Sequence, residues 1–166
     1  MESYHKLRIK EQEIKDTAEL KAILAKTQYV TIAMCRGDEP YLVTLSHGYD
    51  AEKNVIYFHC AYEGKKIDIL KANNRVWGQA IVDRGYVQEK CDHLFSSVQF
   101  SGRVSFVEDG AEKRRALAVM IGQLEREPEK VMAAQVTEAA VAKTCIGRID
   151  IDFLSGKRSE KATQTP

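Results

Sequence analysis

Apolar and polar residues along this chain follow two periods, one helical and one alternating, and the changes between them mark out its elements. The first apolar face is helical. Asp16-Thr17-Ala18-Glu19 places an acceptor at the N-cap and a carboxylate three residues on, a capping-box arrangement. Leu20, Ile23 and Leu24 then share one side of a helix that should end near Thr27. Tyr29 to Arg36 is rich in β-branched and aromatic residues and reads as a strand. Gly37-Asp38-Glu39-Pro40 reads as a turn, and Tyr41 to Tyr49 as the returning strand. A turn over Asp50 to Asn54 leads into a third strand, Val55 to Ala61, and these three strands are expected to form a meander. Gly64 breaks the pattern. Lys65 to Asn73 reads as a short helix with Ile67, Ile69 and Leu70 apolar, and Arg75 to Asp83 as another strand.

Arg84 to Phe95 carries a weak pattern and is expected to be a loop or mobile excursion. Ser97 to Val107 alternates clearly: Val98, Phe100, Val104 and Phe106 take one face, against Ser97, Gln99, Ser101, Arg103 and Ser105. Gly102 in its middle predicts a bulge or bend. Ala111 to Leu124 is a strong amphipathic helix, and a weaker one runs through Val131–Val136. The last strand is expected from Ala140 to Phe153, with Ile149, Ile151 and Phe153 facing in and Arg148, Asp150 and Asp152 facing out. Tight turns between consecutive strands predict a mainly antiparallel sheet with inserted helices, an α+β chain. Closure into a barrel would remove the edges of such a sheet. No internal repeat divides the chain; residues 1–158 are expected to form one domain and 159–166 a polar, disordered tail.

Composition narrows the class. Hydrophobic residues make up 44% of the 166, enough to offset chain entropy and exclude a disordered chain. Lys and Arg number 25 against 24 Asp and Glu, a net charge of +1 that argues against a dedicated nucleic-acid binder. Met1 to Lys10 is polar and lacks the apolar run of a signal peptide. The longest apolar stretches, around Tyr29–Cys35 and Ala116–Ile121, are too short to span a bilayer. Cys35, Cys60, Cys91 and Cys145 are scattered without a C-x-x-C pair. Free thiols in a reducing cytoplasm are the expected state.

Three constellations could carry chemistry. Gly64-Lys65-Lys66 opens a helix directly after a strand, where backbone N–H groups, dipole and ammonium charge together suit a phosphate. The same residues also suit a plain solvated helix start. His59-Cys60 ends the strand before it. His59 reads either as a core histidine satisfied by a backbone carbonyl or as a group facing a cleft. Strand alternation favours the cleft, because His59 shares a face with Tyr57 and Ala61 while the more apolar Ile56 and Phe58 take the other. A metal site from His59, Cys60, Cys91 and His93 is disfavoured, because adjacent His59 and Cys60 point to opposite faces. Cys91-Asp92-His93 has the residue types of nucleophilic catalysis, but such triads are assembled in space rather than in sequence. No Walker sequence and no G-x-G-x-x-G occurs.

In this order the segments resemble the pyridoxamine 5′-phosphate oxidase-like split-barrel flavoproteins, and within them the 5-nitroimidazole-resistance (Nim-type) branch. The matching stretches are Pro40 to Asp50, Ile56 to Ala61 followed by Gly64-Lys65-Lys66-Ile67-Asp68, Ser97-Val98 with Gly102, Ala111-Glu112-Lys113 and Ser155-Gly156-Lys157. They cover roughly residues 8–157, and Y-F-H-x-A-x-x-G-K-K is the most specific. The resemblance implies a homodimeric split β-barrel with FMN at the subunit interface. It implies that Val43, Thr44 and Leu45 line the isoalloxazine ring through their backbone. His59, Cys60 and Ala61 would lie beside the flavin and ribityl chain, Lys65 and Lys66 would hold the phosphate, and Ser97 would hydrogen-bond the cofactor. His59 matches the histidine that the Nim branch places near flavin and substrate.

Two departures stand out. Cys91-Asp92-His93 carries His where that branch commonly has an aromatic residue. The C-terminus is not rich in Trp and Arg as in true pyridoxamine phosphate oxidases, Trp77 being the only tryptophan. The expected activity is therefore flavin-dependent reduction of small electron-poor organic molecules, with His59 as proton donor. A pyridoxamine-type oxidase and a non-enzymatic flavin- or haem-binding barrel are the alternatives. An apolar surface on Val43, Leu45 and the Ile149/Ile151/Phe153 strand is expected to drive dimerisation.

Overall fold

In the computed structural model, which describes Leu7 and residues 9–160, the Asp16 carboxylate accepts the Ala18 N–H at 2.9 Å and opens helix α1, Thr17–Lys26. Strands β1 (Tyr29–Arg36) and β2 (Glu39–Ser46) form the expected hairpin, in register from Tyr29 opposite Ser46 to Arg36 opposite Glu39. The returning segment then divides. His47 separates β2 from β3 (Gly48–Asp50), and β3 pairs with β4 (Val55–Cys60) instead of continuing a meander. Helix α2 (Lys65–Ala72) follows, then β5 (Arg75–Val87) and β6 (Asp92–Val107). Helices α3 (Gly110–Leu124), α4 (Pro128–Gln135) and α5 (Glu138–Lys143) lead to β7 (Cys145–Ser159).

The sheet order is β2-β1-β5-β6-β7-β4-β3, and every pairing is antiparallel. The predicted three-strand meander is thus two hairpins at opposite ends of one sheet. The chain makes this crossing at His47, which is fully buried and lies with Nε2 3.0 Å from the Leu24 carbonyl. Burial holds this imidazole below its ordinary pKa, so it is neutral. Sheet curvature brings β2 back towards β4. No ladder joins β2 to β4 among the described residues, so the barrel is split along that seam.

One apolar cluster fills the barrel: Ile32, Ile56, Phe58, Val98, Phe100 and Ile149 from the strands, with Leu24 from α1 and Leu70 from α2. A second lies outside it, where Ala116 and Met120 of α3 cover Val55, Tyr57 and Ile146. No helix among the described residues is long and apolar enough to cross a membrane.

Three further expectations need correction. Arg84 to Phe95 is no loop: β5 and β6 run on as a long hairpin, with turn residues only between Val87 and Asp92. The pattern was weak because the arm projects beyond the core and buries neither face over Asp83–Tyr86. The stretch opened by Ala140 is helical up to Lys143, with Thr137 capping α5 through the Ala140 N–H. At the other end β7 continues through Ser159; most of the expected tail, residues 161–166, lies outside the described residues.

The irregularity predicted at Gly102 is present, but the extra residue sits in the partner strand. Ser101 pairs with Phe153 and Gly102 with Ile151, which leaves Asp152 as a bulge in β7. The slip turns Phe153 to the outer face, where it lies 5.6 Å from the Trp77 ring, instead of inward with Ile149 and Ile151. Asp152 accepts from Ser101 Oγ at 2.8 Å and pairs with Arg75. A Cβ on Gly102 would stand 2.3 Å from the Asp150 carbonyl oxygen, so only glycine lets the strands close here. Gly102→Ala should therefore destabilise the chain by about 1–3 kcal/mol, the usual cost of overpacking. Urea denaturation checks this, and an unchanged midpoint would contradict the close approach.

Candidate functional site

Three elements meet on one side of the split. At the start of α2, Gly64 has φ 122°, in the region that favours glycine, and a Cβ there would meet nothing within 4 Å. The space beside Gly64 is open; the Ile67 N–H is given to the Gly64 carbonyl at 2.8 Å, which leaves the N–H groups of Lys65 and Lys66 as the orphan donors of the helix start. Lys65 reaches across to β2, with Nζ 2.9 Å from Glu39 and 4.9 Å from the Tyr41 ring centroid. The Lys65 hydrogen bond and charge hold the Glu39 carboxyl below its ordinary pKa. Lys66 is half-buried and has no carboxylate partner among the described residues. Of the two lysines it is the one whose charge is uncommitted.

The second element is the end of β4. Phe58 enters the core opposite Gly147, and His59 turns outward on the Tyr57 face. Its ring is exposed and has no hydrogen-bond partner among the described residues, so the satisfied-core reading does not hold. The buried histidine of this fold is His47. Cys60 points inward, half-buried, with Sγ 3.7 Å from Cys145 Sγ. Burial, and then the neighbouring Cys145, push the Cys60 thiol up to about 12, so it is neutral at physiological pH and a poor nucleophile. Ala61 follows, exposed. Among the described residues no three His, Cys, Asp or Glu side chains are grouped to hold a metal ion.

The third element is β2. Val43 and Leu45 turn inward against the core, whereas Thr44 faces out and shares a hydrogen bond of 3.0 Å with Thr31. Because β2 ends the sheet, one side of its backbone has no strand partner among the described residues, and that edge borders the split. The β2 edge, the end of β4 and the α2 start thus gather, the first as the resemblance implies. Ser97 is not among them. It sits on the outer face of β6, three strand spacings from β2, or about 14 Å. Its hydroxyl donates to the Lys157 carbonyl at 3.3 Å.

Ser97 instead lines a cavity of about 550 Å³ on the outer face of β5, β6 and β7, together with Gln79, Ile81, His93, Phe95 and Lys157. Sequence reading placed Ser97 and Gln99 on a polar strand face but did not join them to Gln79 or His93. The signal was there in the alternation; the missing piece was that β5 and β6 are neighbours throughout. The surface expected to drive association also changes. Val43, Leu45, Ile149 and Ile151 face the core, and the exposed apolar residues of the outer face include Tyr29, Leu42, Ile81 and Tyr86.

The fold is thus a split antiparallel barrel with the edge strand β2 beside a cationic helix start. The chain belongs to the pyridoxamine 5′-phosphate oxidase family, whose sequence profile matches residues 16–158. No curated protein sequence matches it. Among solved structures it is similar to a proposed 5-nitroimidazole antibiotic resistance protein of Bacteroides thetaiotaomicron VPI-5482. That match has 25% identity and a TM-score of 0.73, over 87% of this chain and 85% of that one. It is similar in fold to a flavocytochrome of Azotobacter vinelandii, with 18% identity and a TM-score of 0.81 over 98% and 76% of the two chains. A FAD- and haem-binding protein of Mycobacterium smegmatis matches with 15% identity and a TM-score of 0.75, over 93% and 77%.

The first patch fits a flavin nucleotide. The open helix start at Gly64 with Lys66 suits a phosphate, and the unpaired β2 backbone suits the polar edge of a flat heteroaromatic ring.

Proposed function

We propose that this chain is a cytoplasmic flavoprotein that holds FMN and reduces small electron-poor organic molecules. The observation that carries this reading is the meeting of Lys66, the Gly64 helix start and exposed His59 beside the free edge of β2. FMN, when bound, supplies the hydride and electrons. Lys66 and the first N–H groups of α2 hold its phosphate, and Lys65 joins them by releasing Glu39, a cheap exchange between exposed groups. The backbone of Val43, Thr44 and Leu45 orients the ring, with Cys60 and Ala61 beside the ribityl chain. Exposed His59 donates a proton to the substrate. The Bacteroides relative, named for nitroimidazole resistance, supports this substrate class.

In this reading the protein is a homodimer. Ser97, remote from the α2 start of its own chain, contacts the flavin held by the partner. Tyr29, Leu42 and Ile81 supply the exposed apolar surface that such an interface covers. The flavocytochrome neighbour keeps a haem-binding reading in view.

One preparation tests the proposal. The purified protein, reconstituted with FMN and desalted, should show flavin absorption bands and scatter light as two 18.7 kDa chains. A Soret band, tighter binding of FAD than of FMN, or a monomer that retains FMN would each overturn the corresponding part.

A further inference from the structure

The outer-face cavity holds a charge arrangement that the flavin reading leaves unused. Between Asp83 and Tyr86 strand β5 carries one residue more than β6, because Asp83 pairs with Phe95 and Tyr86 with His93. Gly85 takes up the bend at φ 93°, and its N–H donates to Asp83 Oδ1 at 2.7 Å. The bend aims that same oxygen at His93 Nε2, 2.8 Å away. The Tyr86 ring stands edge-on to the imidazole, with centroids 6.1 Å apart. His93 is thus fixed by a carboxylate on one nitrogen, and Nδ1 has no partner among the described residues.

Asp83 is the one carboxylate among the lining residues, and His93 and the Gly85 N–H answer its charge. Lys157, across the cavity, lies with Nζ 5.2 Å from the Phe95 ring centroid. No carboxylate pairs with it among the described residues. Glu13 meets it in a backbone β-bridge. The cavity therefore offers an uncompensated ammonium and an oriented imidazole. Ile81 and Phe95 give it apolar walls, and Gln79 and Gln99 give it amide groups. A volume of about 550 Å³ accommodates one small molecule.

We propose that this cavity binds a small aromatic acid, its carboxylate held by Lys157 and by the Nδ1–H of a doubly protonated His93 whose Nε2–H is given to Asp83, and its ring against Phe95 and Ile81. This deepens the proposed function and rests on it in taking that acid to be the molecule reduced. His93 is then a specificity-determining residue. An aromatic side chain there would leave only Lys157 to meet the anion.

Trp77, the only tryptophan, lies on the same face of β5 two residues from Gln79, so a nitroaromatic bound in the cavity should quench its fluorescence. The probes are 4-nitrobenzoate and neutral 4-nitrobenzamide, titrated into the purified full-length protein. The carboxylate should bind at least about tenfold more tightly, the scale of one charge-assisted hydrogen bond. Lys157→Met should abolish that preference, and His93→Phe should weaken nitrobenzoate about three- to tenfold, with thermal melting unchanged in both. Lys157→Gln replaces the methionine variant if that one folds poorly. Equal affinity for the two probes, or a preference that survives both substitutions, would each overturn the assignment. FMN absorbance in the same samples is a separate readout: a protein that binds FMN but does not discriminate the probes sinks this inference alone.

Discussion

Replacing His59 by alanine should leave FMN bound and the dimer intact, and slow reduction of a nitroaromatic by about 10²-fold or more, the lower range for general acid catalysis. The fold itself should tolerate the change. His59 is exposed, lies next to last in β4, and has no hydrogen-bond partner among the described residues, so its removal leaves no buried group unsatisfied. The barrel core at this point is made by Phe58 and Cys60, which the substitution does not touch. The second half follows from chemistry. Transfer of hydride to a nitro or quinone group builds negative charge on oxygen, and imidazole is the side chain suited to deliver a proton near neutral pH. The measurement is a single turnover: protein reduced anaerobically with dithionite is mixed with the nitroaromatic, and flavin reoxidation is followed by absorbance. Reoxidation at the wild-type rate would remove His59 from the mechanism. Its neighbour Cys60 makes a useful contrast. Its thiol is pushed up to about 12 by burial and by Cys145, so Cys60→Ser should change the rate far less than His59→Ala.

Charge reversal of Lys65 and Lys66 together should weaken FMN at least about tenfold and leave riboflavin nearly unaffected, since only FMN carries the phosphate. The two lysines do not contribute equally. Lys65 is already engaged by Glu39 at 2.9 Å, whereas Lys66 has no carboxylate partner among the described residues. Lys66→Glu alone should therefore account for the larger share. Lys65→Glu acts partly by setting two carboxylates side by side on α2 and β2. Fluorescence titration with both flavins checks each variant. Equal losses for FMN and riboflavin would mean that the lysines support the fold of the site rather than the phosphate.

Much of this was legible in the sequence because local rules produced it. Asp16 caps α1, the Tyr29–Arg36 run pairs through a tight turn with the segment after Gly37, and the apolar face of Ala111–Leu124 makes α3. The Gly64-Lys65-Lys66 segment is a helix start whatever surrounds it. The facing of His59 and Cys60 also followed from alternation, because a strand of period two with Ile56 and Phe58 inward leaves no choice for its neighbours. Sequence by itself therefore determined most of the elements and most of their inward faces, while the place of β2 beside the other two segments was implied by the family resemblance.

Only tertiary structure decided how those segments were assembled. Whether β2 continues into a meander or crosses to the far edge depends on the pocket that buries His47 beneath α1, a contact between residues 24 and 47 that no local pattern encodes. The inward set of β7 depends on a bulge at Asp152 that exists because Gly102, fifty residues earlier, lets the Asp150 carbonyl approach. One slipped residue reverses every side chain beyond it, which is why Phe153 lies against Trp77 and not in the core. The pairing of Asp83 with His93 likewise needs the extra residue in β5 to aim one strand's carboxylate at the other's imidazole. Register and crossing are relations between distant residues, settled by packing, and they separate the α2 corner from the cavity at Ser97.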